Sequence, residues 1–280
     1  MLYTIERKIN YNTEKAEKQS LIKAIIATIK MFMSENGHTY VEPDNDIETL
    51  DYVFSVGGDG TMMHAISKYI SYSPVYIGIN AGNVGFLTPY EISAVFDGSI
   101  FENIFSPQNR VEDRSLIQYE INNETFTAVN EIAINPPEIN QMIDFSMEVD
   151  HSFTGTFRKA GRYSANTLLL STAMGSTAYN KNAGGAIVEP NMSAMQFTLI
   201  APTLLGSRPI IFNEQSRIKI IANNRLDIWN DGNKSSQINI GDTFIVTIHK
   251  NKAKIMLPDA WNYFNFLSKK LHWNNGQDIK

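Results

Sequence analysis

The chain has 280 residues, with 24 Lys and Arg against 29 Asp and Glu, five His and no Cys. A net charge of −5 argues against a broad electrostatic hold on nucleic acid or anionic lipid. The lack of Cys excludes a disulfide framework, a thiolate zinc site, an Fe–S cluster and a thiol nucleophile.

With 43% hydrophobic and 19% charged residues the composition is globular, and the length suggests about two domains. The opening MLYTIERKINYNTEK lacks the apolar stretch of a secretory signal. The longest apolar run, LIKAIIATIKMFM, carries lysines and falls short of the roughly 20 residues that cross a bilayer. A cytoplasmic protein that binds neither membrane nor nucleic acid is the expectation.

In chain order, Leu2–Ile5 predicts a short strand. Thr13–Asn36 predicts a helix, with Leu21, Ile22, Ala24, Ile25, Ile26, Ile29, Met31 and Phe32 as its apolar stripe and Gly37 as its stop. Tyr52–Val56 reads as a buried parallel strand, Thr61–Ile70 as a helix, Val75–Ile79 as a strand and Ile92–Ile104 as a helix. This alternation predicts a doubly wound α/β domain over residues 1–105. The chain is expected to cross over at Ser106–Arg110.

Beyond that point the period shortens. Leu116–Ile121, Thr125–Ile134, Phe145–Asp150, Gln196–Ile200, Ile218–Ala222, Thr243–Ile248 and Lys254–Leu257 predict strands of an all-β, antiparallel, sandwich-like domain over residues 106–260. Residues 261–280 form a terminal helix and tail, with Trp261–Trp273 amphipathic and expected to return to the first domain.

The most informative stretch is Tyr52-Val53-Phe54-Ser55-Val56-Gly57-Gly58-Asp59-Gly60-Thr61, a strand feeding a glycine-rich turn that opens a helix. Glycines there let backbone N–H groups approach a phosphate, and a helix start favours an anion. Asp59 does not suit a simple phosphate cradle. It fits a group that takes a hydroxyl proton or holds Mg²⁺ beside phosphates. Neither a Walker loop nor a G-x-G-x-x-G fingerprint is present. A second glycine-rich loop, Gly78-Ile79-Asn80-Ala81-Gly82-Asn83-Val84-Gly85-Phe86-Leu87-Thr88, follows the next strand.

The GGDGT turn followed by GINAGNVGFL resembles the NAD kinases. So do, in order, Asn130-Glu131, the segment Ser171-Thr172-Ala173-Met174-Gly175-Ser176-Thr177-Ala178-Tyr179, the continuation Ala183–Pro190, Ser207-Arg208-Pro209, Asp231-Gly232 and the terminal Leu267–Trp273. GGDG by itself also occurs in diacylglycerol-type lipid kinases and phosphofructokinases, but the ordered set covers residues 50–273. The resemblance implies Mg²⁺-dependent phosphoryl transfer from ATP or polyphosphate to the adenosine-ribose 2′-hydroxyl of NAD, in a homodimer or homotetramer.

By the same resemblance, Asp59 is the catalytic residue, the general base or polariser of that hydroxyl. Gly57, Gly58, Gly60, Asn83, Phe86, Asn130, Glu131, Asn166, Thr177, Ala178, Tyr179 and Asn182 bind nucleotide. Arg162, within the cluster Arg158, Lys159 and Arg162, is either a phosphate contact or part of a solvated face. The chain departs from the family at Ala165-Asn166-Thr167, where G-D-G is usual, and at Ala173-Met174, where Pro-Thr is usual. Asn182 likewise stands where Ser is common. Alternatives are a lipid kinase, whose GTGND-like motif the chain lacks, and a non-catalytic dinucleotide-binding regulator, supported by Asn166. The five His residues show no metal spacing, and Trp229 is expected in the core.

Overall fold

The computed structural model describes residues 1–7, 16–42, 47–82, 85–151 and 154–272. The chain divides into one unit of Met1–Asp113 with Ala253–Lys280, and a second of Arg114–Lys252.

The first unit is built on a seven-stranded sheet. Its order is β2 (Thr39–Tyr40), β1 (Leu2–Arg7), β3 (Tyr52–Gly57), β4 (Val75–Asn80), β19 (Ala253–Leu257) and β6 (Arg110–Arg114), with β5 (Tyr90–Glu91) beside β4. β1, β3 and β4 run parallel and are buried on both faces, which is why Tyr52–Val56 reads as an apolar run without alternation.

Helix α1 (Ala16–Glu35) buries Ile22, Ile25, Ile29 and Met33 against Tyr3, Ile5, Phe54, Val56, Ile77 and Ile79. Leu21 and Met31, counted in the expected stripe, lie on its exposed side. Residues 13–15 of the expected helix lie outside the described residues. Gly37, at φ +75°, ends the helix. The opposite face of the sheet is covered by α2 (Asp59–Tyr69), where the Tyr76 hydroxyl donates to the Ile66 carbonyl.

Several expectations are corrected here. The helix expected over Ile92–Ile104 is two, α3 (Ser93–Phe96) and α4 (Ser99–Phe105), because Gly98 at φ +85° breaks it. Lys254–Leu257, read with the antiparallel strands, instead pairs in parallel with β4. β6 also joins this sheet, so the first unit runs past Ser106–Arg110 to Asp113. The last helix, α6, covers Tyr263–Leu271, capped by the Asn262 side chain. Trp273 lies outside the described residues.

The second unit packs two six-stranded antiparallel sheets around one core. The first has the order β11 (Arg158–Ala165), β10 (Ile143–Asp150), β15 (Arg217–Ala222), β18 (Thr243–Ile248), β7 (Ile117–Ile121), β8 (Glu124–Ala128). The second runs β14 (Ile210–Asn213), β13 (Ala194–Ile200), β12 (Thr167–Thr172), β9 (Glu131–Asn135), β16 (Leu226–Asn230), β17 (Asn233–Ile238). Side chains such as Tyr119, Phe145, Ile132, Ile134, Leu168, Leu170 and Phe197 fill the space between them.

The single strand expected over Thr125–Ile134 is also corrected. It divides at Val129–Asn130, with β8 in one sheet and β9 in the other. Asn130-Glu131 therefore stands where the chain crosses between sheets. Trp229 is not in the core. Leu226 and Ile228 are the strand residues that face the core, and Trp229, half-buried, pairs with Ala133.

Candidate functional site

In the first unit, β3 and β4 end side by side, with Gly57 opposite Asn80, so both glycine-rich loops leave the carboxyl edge of a parallel sheet. Each glycine of the first turn has its own role. A Cβ on Gly57 would lie 2.3 Å from Thr61 Oγ1, so the fold itself requires glycine there. At Gly58 and Gly60 a Cβ would meet nothing within 4 Å. Gly58 is extended (φ −103°, ψ −172°), a conformation open to any residue. The backbone at 58 and 60 thus lies open to a ligand without packing that demands it.

α2 begins at Asp59, two residues before the expected start. The carboxylate sits in the first turn, where the helix dipole favours negative charge. Its Oδ2 accepts from the Phe86 N–H at 3.0 Å and its Oδ1 from the Leu87 N–H at 2.9 Å. Gly85 makes this possible: a Cβ there would fall 2.0 Å from Oδ1 and 2.6 Å from Thr88 Oγ1. Lys270 of α6 also donates to Oδ2, at 2.9 Å, with its ammonium 4.9 Å from the centre of the Phe86 ring. Asn83 lies outside the described residues.

In the second unit, Asp231 organises the crossing between sheets. Its backbone has φ +46°, with Gly232 at +83°, and the turn aims its carboxylate at three consecutive amides. The N–H groups of Val129, Asn130 and Glu131 donate to it at 2.8, 2.7 and 3.1 Å. Burial raises the Asp231 carboxyl above the ordinary carboxylate range, opposed by those three donors.

Glu131 is buried, and its Oε2 has no partner among the described residues. Burial first, then the neighbouring Asp231 charge, push its carboxyl up to about 7, while the Tyr179 backbone N–H pulls it down. At neutral pH this group can therefore accept or donate a hydrogen bond.

The segment after β12 closes over this point. A Cβ on Gly175 would lie 2.0 Å from the Asn130 carbonyl oxygen, so only glycine permits the approach. Thr172 Oγ1 donates to the Val129 carbonyl and accepts from the Gly175 N–H. Ser176 Oγ exchanges hydrogen bonds with the Val188 backbone, a structural use of a side chain that has no hydrolase role. Asn180, buried in the short α5 (Tyr179–Asn182), donates to the Gln196 side chain. Tyr179 itself remains exposed.

Two family models match this chain. The ATP-NAD kinase N-terminal domain covers residues 6–102, and the ATP-NAD kinase C-terminal domain covers residues 129–257. The chain belongs to the ATP-NAD kinase family.

Its similarity to family members extends along most of its length. It is 32% identical over 273 residues to the NAD kinase of Fusobacterium nucleatum subsp. nucleatum, covering 96% of this chain and 98% of that one. To the NAD kinase of Photorhabdus laumondii subsp. laumondii it is 33% identical over 239 residues, 80% and 77% of the two chains. Among solved structures, yeast NADH kinase complexed with NADH shares the fold with a TM-score of 0.81 at 19% identity, covering 100% and 90% of the chains. An NAD kinase from Archaeoglobus fulgidus in complex with ATP does so with 0.70 at 22% identity, covering 92% and 94%.

Against this family background, the expected site residues fall into separate groups. Asn130, Glu131, Thr177, Ala178 and Tyr179 cluster in the second unit, while Asp59, the glycines and Phe86 cluster in the first. Asn182 is exposed at the end of α5. Asn166, also exposed, lies between β11 and β12. It is five positions from Ser171, the residue opposite Glu131, so roughly 16 Å away along the strand.

Arg162 makes a bidentate pair with Asp144, at 2.9 and 2.7 Å, which holds that carboxyl below its usual range. Local pattern gives no sign of the contacts that Lys270 makes with Asp59 or that Asp231 makes with residues 129–131. The two residues lie within the motifs Leu267–Trp273 and Asp231-Gly232, but their contacts span 211 and about 100 residues, and no local spacing encodes those.

Proposed function

We propose that this chain phosphorylates NAD, transferring a phosphoryl group from ATP or polyphosphate to the 2′-hydroxyl of the adenosine ribose and giving NADP. The observation that carries this reading is the Asp59 carboxylate, held at a helix start by two amides of the next loop, in a chain matched by both family domains.

In the reaction, the ribose oxygen forms a bond to the terminal phosphorus while the bond to the leaving phosphate breaks. The hydroxyl proton passes to Asp59. A carboxylate is a weak base toward an alcohol, so Asp59 contributes mainly as the hydroxyl acidifies in the transition state. Positioning of donor and acceptor supplies the larger part of the acceleration. The open backbone at Gly58 and Gly60 suits contact with phosphate oxygens, as does the Phe86 loop.

Asn130 and Glu131 would read the adenosine edge, with Thr177, Ala178, Tyr179 and Asn182 beside it. Asn166 lies far enough along β12 to meet the other end of an extended dinucleotide. Arg162 is a weaker candidate, because Asp144 already neutralises it.

Among the described residues no three His, Asp or Glu side chains are grouped to hold a metal ion. This donor set would fit a cation held mainly by the phosphates of the nucleotide itself. When bound, Mg²⁺ would neutralise charge on the transferring group. No described helix is long and apolar enough to cross a membrane. A cytoplasmic location and a homodimer or homotetramer are proposed from the family resemblance.

Incubating the protein with NAD, ATP and Mg²⁺, or with polyphosphate in a parallel arm, and reading NADP with an NADP-specific dehydrogenase tests the reading. Asp59→Asn should lower turnover by about 10²–10⁴-fold while calorimetric NAD affinity stays unchanged. NAD binding with no NADP formed by the wild type would overturn it in favour of a binding protein.

A further inference from the structure

Among the described residues, Oδ2 of Asp59 accepts twice, from the Phe86 amide and from the Lys270 ammonium, whereas Oδ1 accepts from the Leu87 amide alone. Lys270 is not a loose surface lysine. Its helix is fixed at one end by the Asn262 cap and by buried Leu267, and the Tyr263 ring lies 6.4 Å from Phe86. The ammonium rests between the carboxylate and the Phe86 ring face, both belonging to the nucleotide-side turns.

From this geometry we propose that Lys270 is a positioning residue for the phosphoryl transfer described above, on which the inference rests. Its ammonium cancels the Asp59 charge so that an anionic donor can approach. By holding Oδ2, it also leaves Oδ1 as the oxygen that takes the hydroxyl proton. An unscreened carboxylate beside a triphosphate would repel the substrate it serves. An exposed Lys–Asp pair contributes little to stability, so a purely structural role would leave kinetics untouched.

The test compares Lys270→Met and Lys270→Arg with the wild type, measuring kcat and both KM values alongside thermal melts. Lys270→Met should keep its melting temperature within about 2 °C. It should lose about tenfold or more in kcat, raise KM for ATP several-fold and leave KM for NAD within about twofold. Lys270→Arg, which keeps the charge, should restore most of the loss.

The proposal is overturned if Lys270→Met retains kcat and KM for ATP within about twofold of the wild type. It is equally overturned if Lys270→Arg is as impaired as Lys270→Met. Should the wild type itself form no NADP, the activity reading fails separately, and Lys270 is judged by calorimetric binding of Mg·ATP. Several-fold weaker binding in Lys270→Met sustains its role, and equal binding ends it.

Discussion

Replacing Gly85 by Ala probes whether the orientation of Asp59 matters, without touching the acid itself. The new Cβ would sit 2.0 Å from Oδ1, whereas ordinary contact begins at 3.4 Å, so the carboxylate oxygen must retreat by about 1.4 Å. At its present 2.9 Å, the Leu87 N–H bond does not survive such a shift. The backbone of Gly85 cannot give way freely, because the same Cβ meets Thr88 Oγ1 at 2.6 Å.

Overpacking of this kind costs about 1–3 kcal/mol. Asp59 is partly exposed and can turn toward water, which places the stability loss near the lower end. Catalysis should suffer more, since an ångström-scale misplacement of a reacting group costs about 10²-fold. Steady-state NADP formation, paired with circular-dichroism melts, separates the two effects. A folded Gly85→Ala protein with turnover within about twofold of the wild type would refute the orienting role of this loop.

Gly60→Ala places a methyl at an exposed helical position where nothing lies within 4 Å. Denaturant unfolding should show a gain of about 0.5–1 kcal/mol, while turnover falls several-fold because the methyl crowds the phosphates; unchanged turnover would sink the phosphate contact.

Glu131→Gln tests the buried acid through pH. Its folded pKa of about 7 lies above its reference value of 4.5, so the native state binds the extra proton in that window. The contribution of Glu131 to stability therefore falls as pH rises from about 4.5 to about 7 and is level above. Urea midpoints from pH 5 to 8 should show the Gln variant gaining on the wild type with rising pH, and a constant difference would exclude the raised pKa. Weaker NAD binding should accompany it.

Much of this molecule follows from local chemistry. That Tyr52–Val56 is an apolar strand and that the glycines after it turn into a helix depend on neighbours within ten residues. Composition alone excluded thiol chemistry. Motif order was enough to place the chain beside its family. Local pattern did not reveal which strands pair. Lys254–Leu257 looks like any short β segment, yet it completes the first sheet beside β4. Thr125–Ile134 looks continuous, yet it breaks at Val129–Asn130 because Asp231, about a hundred residues away, captures those amides.

Residue order alone places an acid, two glycine turns and an Asn-Glu pair along the chain. That Asp59 points its oxygens at Phe86, Leu87 and Lys270, and that Glu131 is buried beside Asp231, follows from how distant segments pack. The reason is physical: side-chain periodicity records which face is buried, but the partner is chosen by register and packing between segments distant in the chain.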